Sequence, residues 1–427
     1  MRKSFFLTLA CLLAAFSAQA QQFDVLDQVR ADERKSWGME GPHRFDEIKA
    51  LTKAPKGYKP FYVSHYGRHG SRYAWSSKTY ELLHEVFAKA ERKDVLTPYG
   101  KEFAREYQEF YKEPWINTGD LVPLGFQQHE KIGEFVYDSF PQVFKGDRKV
   151  DALSSTAQRC ILSMSAFVQG LTKNNGKLRV VQASSHMGMS IIAPPSAPKT
   201  LMRHFEGEDA PLERESIEDF ARRVGPGKEI LARLFTDTSF LNDFKGGEDA
   251  FLEELWQFVS NYHNYEDRPL FDSLFLPDQR LAAWEANNYL SFYTDIRQRY
   301  TVIPLLEDII AKADAAIADP AQAANLRFGH DYIVEAFATL VNLNNCGFIP
   351  ENPDDAKYYF QSYNVPMAAT LLFVFYKNKK NDVLFKVLWN EVEATIPQLE
   401  AVSGPYYRWS DFTAWARDLM AAHPEKR

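Results

Sequence analysis

Residues 66–72 read Tyr-Gly-Arg-His-Gly-Ser-Arg, which puts His69 between Arg68 and Arg72 with Gly67 and Gly70 beside it. Two guanidiniums flanking one imidazole disfavour the imidazolium and favour an anionic guest. The glycines let the backbone turn and approach a ligand closely. The chemistry that suits this set is phosphoryl transfer to histidine: a neutral ring nitrogen attacks phosphorus while arginines neutralise the equatorial oxygens. His65 lies four residues before His69. Gly67 between them argues against a helix, and no Glu follows the first His as a helical zinc pair would need, so no metal site is expected there.

Such a loop needs elements that aim it. An apolar run, Pro60 to Tyr66, leads in, and a helical pattern capped by Ser77 follows. Strand, tight loop and helix is the geometry that places a loop at the carboxyl edge of a parallel sheet, where α/β proteins bind ligands. The pattern recurs twice. Val150 to Leu153 reads as a short strand, followed by Ser154 to Arg159 and a helix through Leu171. Arg159 falls in the first turn of that helix, where hydroxyls, free backbone N–H groups and the positive dipole end favour an anion. Leu326 to Gly329 reads as a strand, His330-Asp331 follows at once, and a helix runs on through Leu343. Alone, that dipeptide is equally well a helix start capped by Asp331. Leu178 to Ala183 is a further strand, with His186 just beyond it as a rim candidate.

Arg68-His69-Gly70-Ser71-Arg72 carries the Arg-His-Gly-x-Arg signature. The chain resembles the histidine phosphatase superfamily, in the branch of histidine acid phosphatases, phytases and multiple inositol-polyphosphate phosphatases. Leu121 to Gly133, with its Leu-x-x-x-Gly-x-x-Gln spacing and later Gly, and the segment around Val365 to Ala369 are similar to the same family. The resemblance implies an α/β fold with a central, mostly parallel sheet flanked by helices and an inserted, mostly α-helical cap. It implies that His69 is the nucleophile, that Asp331 protonates the leaving group, and that Arg68, Arg72, Arg159 and His330 hold the phosphate oxygens. No metal and no organic cofactor is implied. Two positions depart from the pattern. Ala74 stands where members often have proline, and His330-Asp331 stands where the inositol-polyphosphate subgroup typically has His-Ala-Glu, so the substrate is left open.

The 427 residues carry a net charge of −7, with 45% hydrophobic and 14% aromatic content. That is globular composition with ample length for a large core. The acidic balance argues against nucleic acid as a partner. Met1 to Ala20 reads as a secretory leader, with Arg2 and Lys3 before the apolar Phe5 to Phe16 and Ala18-Gln19-Ala20 as the cleavage site. Its removal takes the net charge to −9. Thr8 and Leu9 fit a lipobox at Cys11 poorly. No later stretch is long and apolar enough to span a bilayer, so the expected location is periplasmic or secreted. Cys160 and Cys346 remain, and two separate buried thiols are expected rather than a bridge. The phosphatase domain is expected over 21–190 and 321–427, with the helical cap over 191–320. Within the cap, Arg203-His204 reads as helix surface.

The function expected is an exported phosphomonoesterase acting on small phosphate esters, phytate or other inositol or sugar phosphates among them. Two alternatives are a phosphoglycerate-mutase-type transferase and a non-catalytic exported protein that binds phosphate esters or carbohydrate, the latter prompted by the aromatic content.

Overall fold

In the computed structural model, which describes residues 25–194, 214–296 and 298–423, the apolar run before the histidine loop is a long central strand, β1, Lys59–Arg68. The expected leader, Cys11 and the Arg203-His204 pair lie outside the described residues. The sheet runs in the order β3-β2-β4-β1-β5-β6-β7, with β8 pairing β6. Strands β2 (Lys149–Ser154), β3 (Arg179–Ser184) and β4 (Gln322–Gly329) join β1 as the parallel part. β5 (Thr370–Lys377), β6 (Val383–Trp389), β7 (Val392–Ala394) and β8 (Tyr407–Arg408) extend it in antiparallel fashion. The sheet is mixed, with the expected mostly parallel strands at its core, an antiparallel half beyond β1, and helices flanking it.

Register brings the three junctions level. Arg68 lies beside Gly329 and Ser154 beside Phe328. The residues that follow those strand ends, His69, Ser155 and His330, therefore emerge on one edge. Side chains alternate across β1, so Tyr62 and Tyr66 enter a core shared with Phe337, Phe373 and Phe412, while Val63 enters one shared with Ile132, Phe167 and Phe328.

The helices α1 (Ser77–Arg92) and α2 (Pro98–Phe110) follow the histidine loop. α1 is capped by Ser76, whose hydroxyl accepts the Lys78 N–H, one residue earlier than expected. α2 starts as its sequence indicates, with Thr97 Oγ1 accepting from Gly100 at 2.9 Å and Pro98 in the first turn. α3 (Pro123–Ser139) and α4 (Gln158–Thr172) pack on one sheet face. Between β3 and β4 the named elements are all helical, among them α5 (Gly247–Asn261), α6 (Pro277–Ile296) and α7 (Ile303–Ala318). A further core joins Tyr80, Phe87, Phe103 and Tyr107 of α1 and α2 to Phe251, Leu255 and Phe258 of α5. α8 (Asp331–Leu340) follows β4 and α9 (Trp409–Ala422) ends the described chain.

Two strands start more than two residues from where the sequence pattern puts them. β4 starts at Gln322, not Leu326; Gln-Ala-Ala-Asn, though buried throughout, lacks the branched residues that mark a strand. β5 starts at Thr370, not Met367, because Ala368 takes a left-handed φ of 58° and gives its N–H to the His69 carbonyl. Among the described residues no helix is long and apolar enough to cross a membrane.

Candidate active site

The histidine loop is clamped from three sides. Gly70 N donates to Ser163 Oγ of α4 at 3.0 Å, and that hydroxyl donates to the Arg159 carbonyl at 2.7 Å. Ser71 N donates to Gln128 Oε1 of α3 at 2.9 Å. A Cβ on Gly70 would sit 2.3 Å from the Gly125 carbonyl oxygen, and one on Gly125 equally close to the Ser71 carbonyl oxygen. The Gly125-x-x-Gln128 spacing thus has a local cause: the glycine admits α3 to the loop and the glutamine fastens it. His129, on the same helix, gives its Nε2 proton to the Arg68 carbonyl at 2.9 Å.

His69 is 2% exposed. Its Nδ1 faces the Gly70 carbonyl at 2.9 Å. A carbonyl only accepts, so Nδ1 carries the proton and Nε2 keeps its lone pair. Burial, then Arg68, Arg72, Arg159 and His330, hold the imidazole well below the usual histidine range, so it is neutral. The site thus contains an uncharged ring nitrogen with its lone pair free.

The sequence-derived residues converge on this ring. His330 stands edge-on to it, with ring centroids 5.8 Å apart. His330 Nε2 pairs with Ser155 Oγ at 3.0 Å, and burial, against the pull of Asp331, pushes its titration down to about 4. Arg68 Nη1 donates to the carbonyls of Met39 and Val365 at 2.6 and 2.9 Å. Arg68 Nη2 lies 2.8 Å from Asp331 Oδ2. Arg72 leans on Glu40 and on the Tyr73 carbonyl. Arg159 rises from the first turn of α4, and burial lowers its affinity for a proton. Arg68 Nε, Arg72 Nε and Arg159 Nε are buried donors with no hydrogen-bond partner among the described residues. Buried donors are rarely left so; a set of three on three cations suits an anion.

Asp331 carries opposing influences. Burial raises its carboxyl, but Arg68, Arg72 and His330 together outweigh burial and hold it down to about 2. Its Oδ1 accepts the Tyr332 N–H at 2.9 Å. Its other oxygen is the one against Arg68.

Other candidates fall outside the cluster. His65 is packed between Phe167 and Phe328, at centroid distances of 4.8 and 4.9 Å, the core position expected of it. His186 is exposed in the turn after β3. Cys160 and Cys346 are both free and buried, and burial pushes the Cys160 thiol up to about 12. Ala74, where proline is common in the family, donates its N–H to Tyr80 Oη at 3.0 Å, a bond that proline could not make. Glu40, Met39, Asn261 and Asn264, which touch the loop or its arginines, carried no signal in the sequence.

The sequence profile of the histidine phosphatase superfamily (branch 2) matches residues 67–212. No curated protein sequence matches the chain. Among solved structures the chain is similar to the Bifidobacterium longum multiple inositol polyphosphate phosphatase in complex with phosphate, with a TM-score of 0.73 and 18% identity over 90% of this chain and 97% of that one. It is similar also to the phytase from D. castellii, with a TM-score of 0.66 and 17% identity over 91% and 85%. The Citrobacter braakii phytase gives a TM-score of 0.55 and 12% identity over 84% and 98%. At such identities the likeness is one of fold.

Proposed function

We propose that this chain, a member of the histidine phosphatase superfamily, is an exported phosphomonoesterase that works through a phosphohistidine on His69. One observation carries the reading: three unpartnered buried donors, the Nε groups of Arg68, Arg72 and Arg159, lie about a neutral imidazole whose Nε2 lone pair is free.

In the first step Nε2 attacks phosphorus and the P–O bond to the alcohol breaks. The three arginines and His330 take the charge on the equatorial oxygens. The departing oxygen needs a proton. Asp331 is ionised in the free protein, so that proton enters with the phosphate monoanion and passes by way of Asp331 to the alkoxide. The carboxylate then takes a proton from water as the water cleaves the P–N bond and restores the imidazole, and it passes that proton to the departing phosphate, which returns Asp331 to its ionised state. Phytate and other inositol or sugar phosphates are the substrates favoured, since the similar folds include an inositol polyphosphate phosphatase and phytases. The apolar run at Phe5 to Phe16 supports export.

The test is phosphate release from p-nitrophenyl phosphate, phytate, sugar phosphates and nucleotides at several pH values, with an alkaline quench to trap phosphohistidine. Turnover with label on His69 is expected. No release from any of them would overturn the reading.

A further inference from the structure

We infer that Glu40 is a positioning residue: its carboxylate holds Arg72 in the phosphate loop and is held by Asn261, while Asn264 holds its main-chain carbonyl, so the cap-side helix α5 and the turn after it set the geometry of a phosphate-binding arginine. The inference rests on the phosphate role proposed above for Arg72.

The short turn Gly38–Glu40 meets both arginines of the histidine loop. The Met39 carbonyl takes the Arg68 Nη1 proton at 2.6 Å. The Glu40 carboxylate lies along Arg72, with Oε1 3.3 Å from Nη2 and Oε2 3.4 Å from Nη1. Two asparagines then fix Glu40. Asn261 Nδ2 donates to Glu40 Oε2 at 2.7 Å, and Asn264 Nδ2 donates to the Glu40 carbonyl, also at 2.7 Å. The same Asn264 accepts the Ser71 hydroxyl proton at 2.7 Å. Asn261 is 0% exposed, Asn264 1% and Arg72 3%.

The distances say how the device works. Strong charge-assisted bonds run at about 2.7–2.9 Å. Asn261 holds Glu40 at that length, whereas Glu40 holds Arg72 more loosely. The carboxylate therefore fixes one edge of the guanidinium and leaves Nε unpartnered for an anion. Arginine gives up rotamer freedom when ordered; holding it beforehand lifts that cost from the moment of binding. The position calls for a group that accepts at both oxygens at once, Oε2 from Asn261 and Arg72 Nη1 and Oε1 from Arg72 Nη2. A carboxylate does so. A glutamine offers one acceptor and sets its amide N–H against another donor.

That asymmetry gives the test. Glu40→Gln should lower kcat on p-nitrophenyl phosphate by about 10²-fold, the cost of a displaced binding group, and weaken the binding of inorganic phosphate measured by calorimetry. Asn261→Asp added to Glu40→Gln supplies the missing acceptor, lets the introduced amide donate to it, and restores the total charge; most of the loss should return in the double variant. Melting temperature is recorded for each. If Glu40→Gln does not fold, Asn261→Ala reads the same contact from the other side and should lower kcat and phosphate affinity in a folded protein. Unchanged kcat and phosphate affinity in the single variant, or a double variant as impaired as the single, overturns the role of Glu40. If the unaltered chain turns over no phosphate ester, that counts against the phosphatase reading, and the phosphate affinities of the same variants still decide this one.

Discussion

Arg68 Nη2 and Asp331 Oδ2 lie 2.8 Å apart, so the first arginine of the loop and the proposed proton donor form an ion pair although their strands reach the sheet edge more than two hundred residues apart in sequence. Arg68, with Arg72 and His330, holds the Asp331 carboxyl down against burial, and burial, followed by the same arginines, keeps the His69 ring uncharged. Asp331 is a carboxylate down to about pH 2, and His69 is neutral.

The free protein thus supplies no proton to the leaving group, and kcat/KM should follow the substrate's own second ionisation. That pKa is about 6 for phosphate monoesters. Activity should hold through mild acid and fall above it, and esters with a lower second pKa should begin to fall at lower pH. Profiles of kcat/KM for three or more esters would check this. One common alkaline limb for all of them would assign it to a protein group instead.

His69→Ala removes the proposed nucleophile, and no leaving group should rescue it. Asp331→Asn keeps the shape but carries no transferable acid proton, a loss of about 10²–10⁴-fold where general acid help is needed. Alkyl phosphates, sugar phosphates included, should suffer far more in the phosphorylation step than p-nitrophenyl phosphate, whose phenolate leaves as a stable anion. Rapid quench on both substrates separates the steps. Equal losses on alkyl and aryl esters would falsify the donor role and leave Asp331 as a helix-start residue bonded to the Tyr332 N–H.

Arg68→Ala and Arg159→Ala should each cost about 10²-fold or more in kcat/KM, as expected when a preorganised donor is lost from the transition state. Arg68→Ala should also release Asp331 upward, because Arg68 is the largest influence holding that carboxyl down. Near-normal turnover in either variant would remove that residue from the pocket.

Stability should fall in acid even where activity holds. His129 is buried and neutral, burial pushing its titration down to about 3, and His65 is held well below the histidine range. The unfolded chain protonates both below about 6.5, so it binds the extra protons and acid favours unfolding. The loss begins as pH falls through about 6.5 and continues to the folded values. Each such histidine contributes up to about 1.4 kcal/mol per pH unit. Urea unfolding at pH 7, 6, 5 and 4 reads the slope, and His129→Gln, which keeps a donor for the Arg68 carbonyl, should reduce it by one histidine's share. A slope unchanged by that substitution would count against the account.

What the sequence made legible follows from distance along the chain. Arg68, His69 and Arg72 are contiguous, and Arg159 and His330-Asp331 each sit directly after an apolar strand, so local pattern was enough. Glu40 was not legible. Its partners Asn261 and Asn264 are 221 and 224 residues away, and each taken alone is a polar residue in or after a helical turn. Ser76 rather than Ser77 caps α1 because two serines in succession fit the cap pattern equally well and only the backbone decides: Ser76 is extended, with φ −129° and ψ 136°. β4 was read short at its start because Ala324 and Asn325 owe their place in the sheet to neighbours on both sides, β1 and β2, and not to their own preference.

The insertion of β4 between β1 and β2 also orders events in time. β1 and β2 are made early, yet they do not touch in the finished sheet; the strand that joins them is synthesised only after the long helical stretch, on the order of ten seconds or more later at ordinary rates. Until then both strands present an unsatisfied inner edge, the kind of edge that recruits the wrong partner. The gap must be kept open or covered through that interval, and the same late strand delivers His330 and Asp331. The proposed site is therefore completed among the last steps of synthesis, and a released chain that stops short of Gln322 would present adhesive edges instead of a pocket.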